Sequence, residues 1–206
     1  MRTAESKTTT VGLIVKDAVV LAADKRATAG PTVYHKGVEK IHTVTDYAAL
    51  TISGLVADAQ IIVENARYFA KSYELETGSP ITLKALASRI SLILSVYLRY
   101  SPFIVQLLLG GIDAEGPSLY YLDLYGSISR EKFSATGSGS PIAYGVLESG
   151  YREDLSLEDA KKLAVKAVVS AISRDGFSGE GVDVVTITKS GISKETIPLK
   201  QVLARA

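Results

Sequence analysis

Short runs of branched and aromatic residues, separated by polar and glycine-containing turns, recur along the chain and are typical of β-strands. They predict strands over 11–15, 18–23, 34–42, 47–53, 103–112, 119–124, 127–133, 182–188 and 196–199. The first two are joined by Lys16-Asp17, and the sixth and seventh by Tyr125-Gly126, so each pair is expected to form a hairpin. Gly37 marks a turn within the third run. The chain is therefore expected to be rich in antiparallel sheet.

Longer segments carry apolar residues three and four positions apart, which is the period of an amphipathic helix. They predict helices over 57–75, 82–97, 138–148 and 156–173. Thr82 is placed to cap the second helix, Pro102 follows its end, and Ser156 with Asp159 has nearly the spacing of a capping box in the fourth. The order is strands, two helices, strands, two helices, strands. It predicts an α+β protein in which two antiparallel sheets stack and helices cover both outer faces.

The amino-acid composition excludes several classes of binding and catalytic site. The chain has 206 residues, of which 47% are hydrophobic and 22% charged, as expected for one compact domain. Its 23 basic and 22 acidic residues leave a net charge of +1, which gives no basic field for nucleic acid. Cysteine is absent and the only histidines are His35 and His42, so we expect no cysteine nucleophile, no metal and no cofactor. Any nucleophile should be an oxygen or an amine.

The sequence also suggests a location in the cell. The first seven residues are polar and lack the apolar core of a secretory signal. The longest apolar stretches, such as 103–111, are well short of the roughly 20 residues that span a bilayer. We expect a cytoplasmic protein without a membrane partner.

Three features carry possible chemistry, and each also has an ordinary structural explanation. The triplet Thr8-Thr9-Thr10 begins the first strand, where β-branched threonine is common. Lys40 falls in a predicted strand and is costly to bury without a partner, although a solvated lysine is more usual. Asp24 follows an apolar run and precedes Lys25-Arg26, as a turn carboxylate would. Taken singly, none of them is diagnostic.

Taken together, seven segments in a fixed order are far more specific. They are Thr8–Leu13, Ala22–Thr28, Lys40, Ser53–Gln60, Gly110–Asp113, Thr136–Ser140 and Arg174–Gly179. This succession resembles the motifs of archaeal proteasome β subunits, and the resemblance covers nearly all of the chain. It implies the fold of the N-terminal nucleophile hydrolases, a four-layer αββα sandwich, and the activity of a threonine endopeptidase, the proteasome endopeptidase complex.

The resemblance implies that Thr8 is the nucleophile. A threonine hydroxyl needs a base, and once Thr8 is the N-terminus its own α-amine, with an ordinary pKa of about 8, is available to take and return the proton. Lys40 is placed beside the Thr8 hydroxyl, where its positive charge favours the alkoxide and keeps the amine unprotonated. Asp24 pairs with Lys40 and orients it.

Four further residues match supporting positions of the family. Ser138, Asp175 and Ser178 correspond to the group that fixes the N-terminal amine and its water, and Gly54 to the backbone N–H that faces the oxyanion. Three of them have an alternative interpretation from the residues alone. Ser138 could cap a helix, Asp175 could end one, and Gly54 could terminate a strand.

The substrate pocket beside the nucleophile is implied in the same way. The matching residues are Ala27, Thr28, Val38, His42, Ile52, Val56 and, at its edge, Gln60. This lining is mostly apolar and contains no carboxylate, so large apolar side chains should be preferred over basic ones. Protonation of His42 below neutral pH would admit acidic residues weakly.

The residue before the nucleophile departs from the family pattern, because Lys7 stands where catalytic members normally have glycine. We expect residues 1–7 to be a propeptide and 8–206 a single domain. Self-cleavage requires the Thr8 hydroxyl to attack the preceding carbonyl in a cramped turn, which a side chain at position 7 hinders. The alternative is therefore an unprocessed, non-catalytic architectural β subunit. A third hypothesis is a hydrolase of the same fold that acts on small amides. Such an enzyme would lack the proteasome-like segments Ser53–Gln60 and Thr136–Ser140, which this chain has.

The resemblance also implies an assembly. It predicts seven-membered β rings stacked between rings of proteasome α subunits, with a regulatory ATPase acting through the α ring. Unfolded proteins would be the substrates, degraded inside an enclosed chamber.

Overall fold

The computed structural model describes residues 8–200, which form two five-stranded sheets, a two-stranded hairpin and four helices. The strands are β1 (Thr10–Val15), β2 (Ala18–Asp24), β3 (Ala27–Ala29), β4 (Thr32–His35), β5 (Ile41–Thr45), β6 (Ala48–Gly54), β7 (Val105–Asp113), β8 (Gly116–Leu122), β9 (Ile128–Arg130), β10 (Phe133–Thr136), β11 (Gly181–Thr188) and β12 (Gly191–Pro198). The helices are α1 (Val56–Thr77), α2 (Leu83–Tyr97), α3 (Ser140–Gly150) and α4 (Leu157–Ile172).

Both large sheets are antiparallel throughout. The first has the order β10-β1-β2-β11-β12 and the second β5-β6-β7-β8-β9, while β3 and β4 pair only with each other. In the first sheet Thr10 of β1 lies opposite Ala23 on one side and Thr136 on the other. This register brings the beginning of β1 and the ends of β2 and β10 to the same edge of the molecule.

Three hydrophobic clusters separate four layers. One lies between the second sheet and the pair α1 and α2, a second between the first sheet and the pair α3 and α4, and a third between the two sheets. The third cluster joins Leu21 of one sheet to Leu108 of the other, both without exposed surface. Close approach requires glycine, since a Cβ on Gly12 would lie 2.8 Å from Leu119 Cδ1. The predicted αββα sandwich is confirmed.

Local signals placed the helix ends well. The Thr82 hydroxyl accepts a hydrogen bond from the Ala85 N–H at 3.2 Å, and the Ser156 hydroxyl accepts one from the Asp159 N–H at 3.1 Å. Both caps satisfy a donor that the first helical turn leaves free, as predicted.

Two predicted strands were wrong as single elements. The run 34–42 divides into β4 and β5 at the predicted Gly37 turn, so Lys40 lies just before a strand, although its carbonyl accepts the Ile52 N–H at 2.9 Å. The run 127–133 divides into β9, which pairs with β8, and β10, which pairs with β1 in the other sheet. The chain crosses from one sheet to the other at this point. Strand propensity shows that residues are extended but not which strand they pair with, so it could not predict this change of partner.

Two other strands were missed or too short. The short β3 was not predicted, and β12 begins at Gly191 rather than at 196. β12 is an edge strand whose central residues Ser193, Lys194, Glu195 and Thr196 are exposed, so it lacks the apolar alternation that marks a half-buried strand.

Candidate active site

Three polar side chains meet in a buried triangle around Thr8, which is 2% exposed. The Thr8 hydroxyl donates to Asp24 Oδ1 at 2.7 Å, and the Lys40 ammonium donates to the same oxygen at 2.7 Å. Lys40 Nζ also donates to Thr8 Oγ1. The structure therefore brings together the three residues that the sequence assigned to nucleophile, carboxylate and cation.

The strand pairing explains how these residues converge. β1 and β2 form the predicted hairpin, and the Asp24 N–H donates to the Thr9 carbonyl at 3.1 Å, so the end of β2 lies beside the start of β1. Lys40 arrives from the second sheet, held by the Ile52 N–H on its carbonyl. The site thus lies at one end of the sandwich, where both sheets contribute.

Asp24 is fully buried, and five donors compensate for the burial of its negative charge. Its Oδ1 accepts the Thr9 N–H at 3.0 Å besides the Thr8 and Lys40 bonds. Its Oδ2 accepts the Arg26 N–H at 3.0 Å and the Gly179 N–H at 2.9 Å. The carboxylate is therefore held by donors from four places in the chain, at residues 8–9, 26, 40 and 179.

Lys40 is only 6% exposed, and its proton is held less firmly than in a free lysine. Burial lowers the pKa of the Lys40 ammonium, while the nearby Asp24 carboxylate opposes that shift. An ammonium in this position stabilises negative charge on the Thr8 oxygen, and its neutral form is able to accept the hydroxyl proton.

The nitrogen of Thr8 leads to a second group of side chains. It donates to Ser138 Oγ at 3.1 Å, and Ser138 Oγ donates to Asp175 Oδ2 at 2.8 Å. Ser178 donates to the same carboxylate oxygen at 2.6 Å and shares a 2.7 Å hydrogen bond with the Thr9 hydroxyl. The structure joins these residues to the position where a free α-amine would stand.

The alternative interpretation of Ser138 as a helix cap was wrong. α3 begins at Ser140 with Gly139 as its N-cap, and no side chain makes the capping hydrogen bond. Gly139 is itself confined, since a Cβ there would lie 2.0 Å from Thr9 Oγ1. The start of α3 is thus packed directly against Thr9, the residue after the candidate nucleophile.

Gly54 ends β6 in a conformation that favours glycine. Its φ is +126°, and a Cβ at this position would lie 2.0 Å from the Ile104 carbonyl oxygen. The next N–H, that of Leu55, donates to this carbonyl at 2.9 Å. Its predicted oxyanion role stays a prediction, but the backbone there is tightly constrained.

The predicted pocket residues fall into two groups. His42 lies opposite Leu50 in the β5–β6 pairing, so it shares with Ile52 the sheet face that packs on the helices. Val56 and Gln60 lie one turn apart at the exposed start of α1. Ile52 is 6% exposed and belongs to the core cluster below α1 and α2, so it offers little surface to a ligand.

The other group belongs to the separate β3–β4 hairpin and its flank. Ala27 and Thr28 lie in β3, with Ala27 opposite His35. The Val38 N–H donates to the Lys25 carbonyl at 3.0 Å, which fixes Val38 beside the end of β2. The pocket role of these residues stays a prediction.

Two polar atoms among these residues have no hydrogen-bond partner within residues 8–200 although they are buried. They are Thr28 Oγ1 and His42 Nε2. Burial also lowers the pKa of the His42 imidazole, so its neutral form persists to more acidic pH than in a free histidine. The predicted admission of acidic residues therefore requires a lower pH than the sequence suggested.

Arg26 is a site residue that sequence reasoning did not single out. Besides its N–H bond to Asp24, its guanidinium donates to Glu180 Oε1 at 3.0 Å and to the Gly176 carbonyl at 3.0 Å. It thereby ties the Asp24 turn to the loop that carries Asp175. Its membership of the Ala22–Thr28 segment was the only available signal, because the partners lie 150 or more positions away.

Residues 8–200 contain no cluster of three or more His, Cys, Asp or Glu side chains suited to a metal ion. Of the helices within residues 8–200, none combines the length and the hydropathy of a membrane-spanning segment.

The four-layer sandwich, with a buried threonine at the start of its first strand, has the fold of the N-terminal nucleophile hydrolases. Residues 5–187 match the family described as "Proteasome subunit". "Proteasome subunit beta 2" of Desulfurococcus amylolyticus is 74% identical over 203 residues, covering 98% of each chain. The protein of that name in Staphylothermus marinus is 64% identical, covering 93% of this chain and 92% of its own. "Proteasome subunit beta 1" of Pyrobaculum calidifontis is 50% identical, covering 89% and 91%. The chain therefore belongs to the proteasome subunit family and, within it, to the archaeal β subunits.

Proposed function

We propose that this β subunit is a threonine endopeptidase whose nucleophile is Thr8, released as the N-terminus by self-cleavage of the Lys7-Thr8 bond. Lys7 lies outside the described residues, so the proposal rests on the groups around Thr8. The observation that carries it is the convergence of Lys40 Nζ and Asp24 Oδ1 on the Thr8 hydroxyl, with all three side chains largely buried. An isolated strand threonine has no structural need for a buried ion pair at its oxygen.

The chemistry follows from these contacts. The Thr8 hydroxyl attacks the substrate carbonyl and gives up its proton to the free α-amine, directly or through a water, while Lys40 stabilises the oxygen as charge develops. The protonated amine then returns the proton to the leaving amine, which gives an acyl ester on Thr8. Water hydrolyses that ester and restores the hydroxyl. Ser138, anchored by Asp175, orients the amine for both transfers.

The test begins with the N-terminus of this chain in assembled particles. Intact mass and N-terminal sequencing should show Thr8, and Thr8→Ala should abolish peptide hydrolysis while assembly is retained. Thr186→Ala is a matched control, because Thr186 is also a buried strand threonine but lies on β11, away from the Thr8 triangle. Undiminished hydrolysis by Thr8→Ala particles would overturn the proposal.

A second candidate is an unprocessed architectural subunit, and Lys7 in place of the usual glycine is the observation that favours it. With the Lys7-Thr8 bond intact, the nitrogen of Thr8 is an amide and cannot act as a base, however well the side chains are placed. Retention of Met1 in assembled particles would establish this candidate. Against it stands the complete set of contacts at Thr8, Asp24 and Ser138, which an architectural role does not require.

Family membership implies assembly into a proteasome core with other subunits. We propose that the partners are α subunits and other β subunits in seven-membered rings, with a regulatory ATPase acting through the α ring on unfolded cytoplasmic proteins. Large side chains left open in the single chain support burial against partners, among them Tyr100 at 89% and Leu75 at 74% exposure. Sedimentation should show a large particle, and a fully active monomer would contradict the proposal.

We further propose a broad preference for large apolar side chains, based on the mostly apolar residues predicted to line the pocket. Burial of a methylene or ring gives only about 1–3 kcal/mol of discrimination, so the preference is expected to be graded. Peptides ending in Leu, Tyr, Arg and Glu before the cleaved bond provide the comparison. Faster cleavage after Arg than after Leu or Tyr would refute this pocket assignment.

A further inference from the structure

A chain of four hydroxyl groups crosses the space between the two sheets behind the site. Ser53 Oγ lies 2.6 Å from Thr136 Oγ1, which lies 2.7 Å from Thr10 Oγ1, which lies 3.0 Å from Thr51 Oγ1. The Leu108 N–H donates to Thr51 Oγ1 at 3.2 Å, so the last hydroxyl of the series is also hydrogen-bonded to the backbone of β7. We refer to these four side chains as the hydroxyl chain.

The hydroxyl chain occupies a place where apolar packing would be expected. Its members are exposed by 1% or less, and further along the same interface the sheets are joined by the apolar cluster that includes Leu21 and Leu108. Buried hydroxyls favour folding only when they are hydrogen-bonded, and directional bonds fix a separation that interchangeable apolar contacts leave free. The interface therefore changes from apolar packing to hydrogen bonding close to the active site.

Three members of the hydroxyl chain stand within two positions of a site residue, each on a different strand. Thr10 on β1 follows Thr8 by two residues, and Ser53 on β6 immediately precedes Gly54. Thr136 on β10 precedes Ser138 by two residues. The three strand ends that carry the nucleophile, the oxyanion position and the hydroxyl that binds the Thr8 nitrogen are thus tied together by side-chain hydrogen bonds.

We propose that the hydroxyl chain is a positioning device, which sets the distance between the Thr8 oxygen and the Gly54 N–H across the two sheets. This inference rests on the proposed function of Thr8. The neighbouring backbone is packed to support it, since a Cβ on Gly137 would lie 2.1 Å from the Thr8 carbonyl oxygen. The Gly137 N–H is held by Gln106 Oε1 at 3.1 Å, also from the second sheet. Thr10 is therefore more than the strand-forming residue that its position in the threonine triplet suggests.

The experiment uses assembled particles in which this chain is produced with a removable N-terminal fusion that leaves Thr8 first. Thr10→Val keeps the shape of the side chain and removes the hydroxyl, whereas Thr10→Ser keeps the hydroxyl. Because displacements of about 1 Å are able to cost up to about 100-fold in rate, we expect Thr10→Val to lower kcat by about tenfold or more with KM little changed. Thr10→Ser should retain most of kcat.

Further variants separate positioning from folding. Thr136→Val should reproduce the kcat loss, and the double variant Thr10→Val/Thr136→Val should lose little more than either single variant, because both break one connected unit. Ser53→Ala removes only the hydroxyl at the outer end of the hydroxyl chain and is the mildest of these changes. It provides the test if the threonine variants fail to assemble. Thr186→Val controls for loss of a buried strand hydroxyl elsewhere and should leave kcat unchanged.

The rate constant for covalent labelling of this chain by an electrophilic peptide, read as a mass increase, reports on this subunit even beside another active one. Loss of labelling in Thr8→Ala together with wild-type kcat in Thr10→Val, Thr136→Val and Ser53→Ala would overturn only the positioning role. A larger loss in Thr10→Ser than in Thr10→Val would also overturn it, because packing rather than the hydroxyl would then be responsible. Persistent labelling in Thr8→Ala would remove the proposed function and this inference together.

Discussion

Asp24→Asn is the most informative single substitution at the site, because it keeps the shape of the side chain and changes only charge and hydrogen bonding. In the native structure Asp24 Oδ1 accepts from Thr8, Thr9 and Lys40, and Oδ2 accepts from the Arg26 and Gly179 N–H groups. An asparagine offers one acceptor atom and one donor group in place of two acceptors. We expect loss of both stability and catalysis.

The size of the effect follows from the two orientations of the new amide. With its nitrogen at the Oδ2 position, the Arg26 and Gly179 N–H groups lose their acceptor. With its nitrogen at the Oδ1 position, the Thr8 hydroxyl, the Thr9 N–H and the Lys40 ammonium lose theirs. The less costly orientation leaves two donors without a partner at about 1–3 kcal/mol each, so we expect a loss of about 2–6 kcal/mol in the free energy of unfolding.

The catalytic loss has a separate cause. Without the carboxylate, Lys40 is no longer held against the Thr8 oxygen, and the opposing charge that limits the burial shift of the Lys40 pKa is gone. The pKa of Lys40 should fall further, which makes its positive charge less stable beside the Thr8 oxygen. Loss of one preorganised electrostatic group typically costs about 100- to 1000-fold in rate, and we expect a decrease of this order.

Asp183→Asn is the matched control. Asp183 is 1% exposed, accepts Lys25 Nζ at 2.7 and 2.8 Å and the Thr196 hydroxyl at 2.5 Å, and lies on β11 opposite Ala23. It should lose less stability than Asp24→Asn, because an amide oxygen at the Oδ1 position still accepts from both Lys25 and Thr196, and it should keep its labelling rate. Urea unfolding of the subunit before assembly measures the stability. Covalent labelling of particles made with Thr8 as the first residue measures the labelling rate. A wild-type labelling rate in Asp24→Asn, or an equal loss in Asp183→Asn, would refute the reasoning.

Three further predictions concern processing, backbone conformation and pH. Lys7→Gly should accelerate appearance of the Thr8 terminus, measured by intact mass during assembly, and equal rates in both proteins would contradict the steric argument. Gly54→Ala should destabilise the fold by about 3 kcal/mol, because its φ is +126° and its Cβ would meet the Ile104 carbonyl; an unchanged urea midpoint would refute this. Burial lowers the pKa of His42 below 6.5 in the folded protein, so on acidification the unfolded chain takes up the imidazole proton first. Acidification through the pKa of the unfolded chain, and on toward that of the folded protein, therefore favours unfolding, and the contribution of His42 to stability is lost. His42→Leu should therefore flatten the pH dependence of the unfolding midpoint between about pH 7 and pH 5, and an identical slope would count against it.

The sequence by itself determined the elements whose signals are local. The β1–β2 hairpin and α2 and α4 with their caps were predicted, because alternation, helical period and capping depend on residues a few positions apart. The seven ordered segments also pointed to the family, to the αββα sandwich and to the residues now found around Thr8.

Only the tertiary structure decided which partners these residues have. Ser138 was as compatible with a helix cap as with the Thr8 nitrogen, which lies 130 positions away in the chain. The split of 127–133 between two sheets, the burial of Lys40 and the pairing of Thr10 with Ser53 through Thr136 are equally non-local. A hydroxyl or an ammonium has the same intrinsic chemistry wherever it stands in the sequence. Its function is set by the donors, acceptors and dielectric that folding places around it.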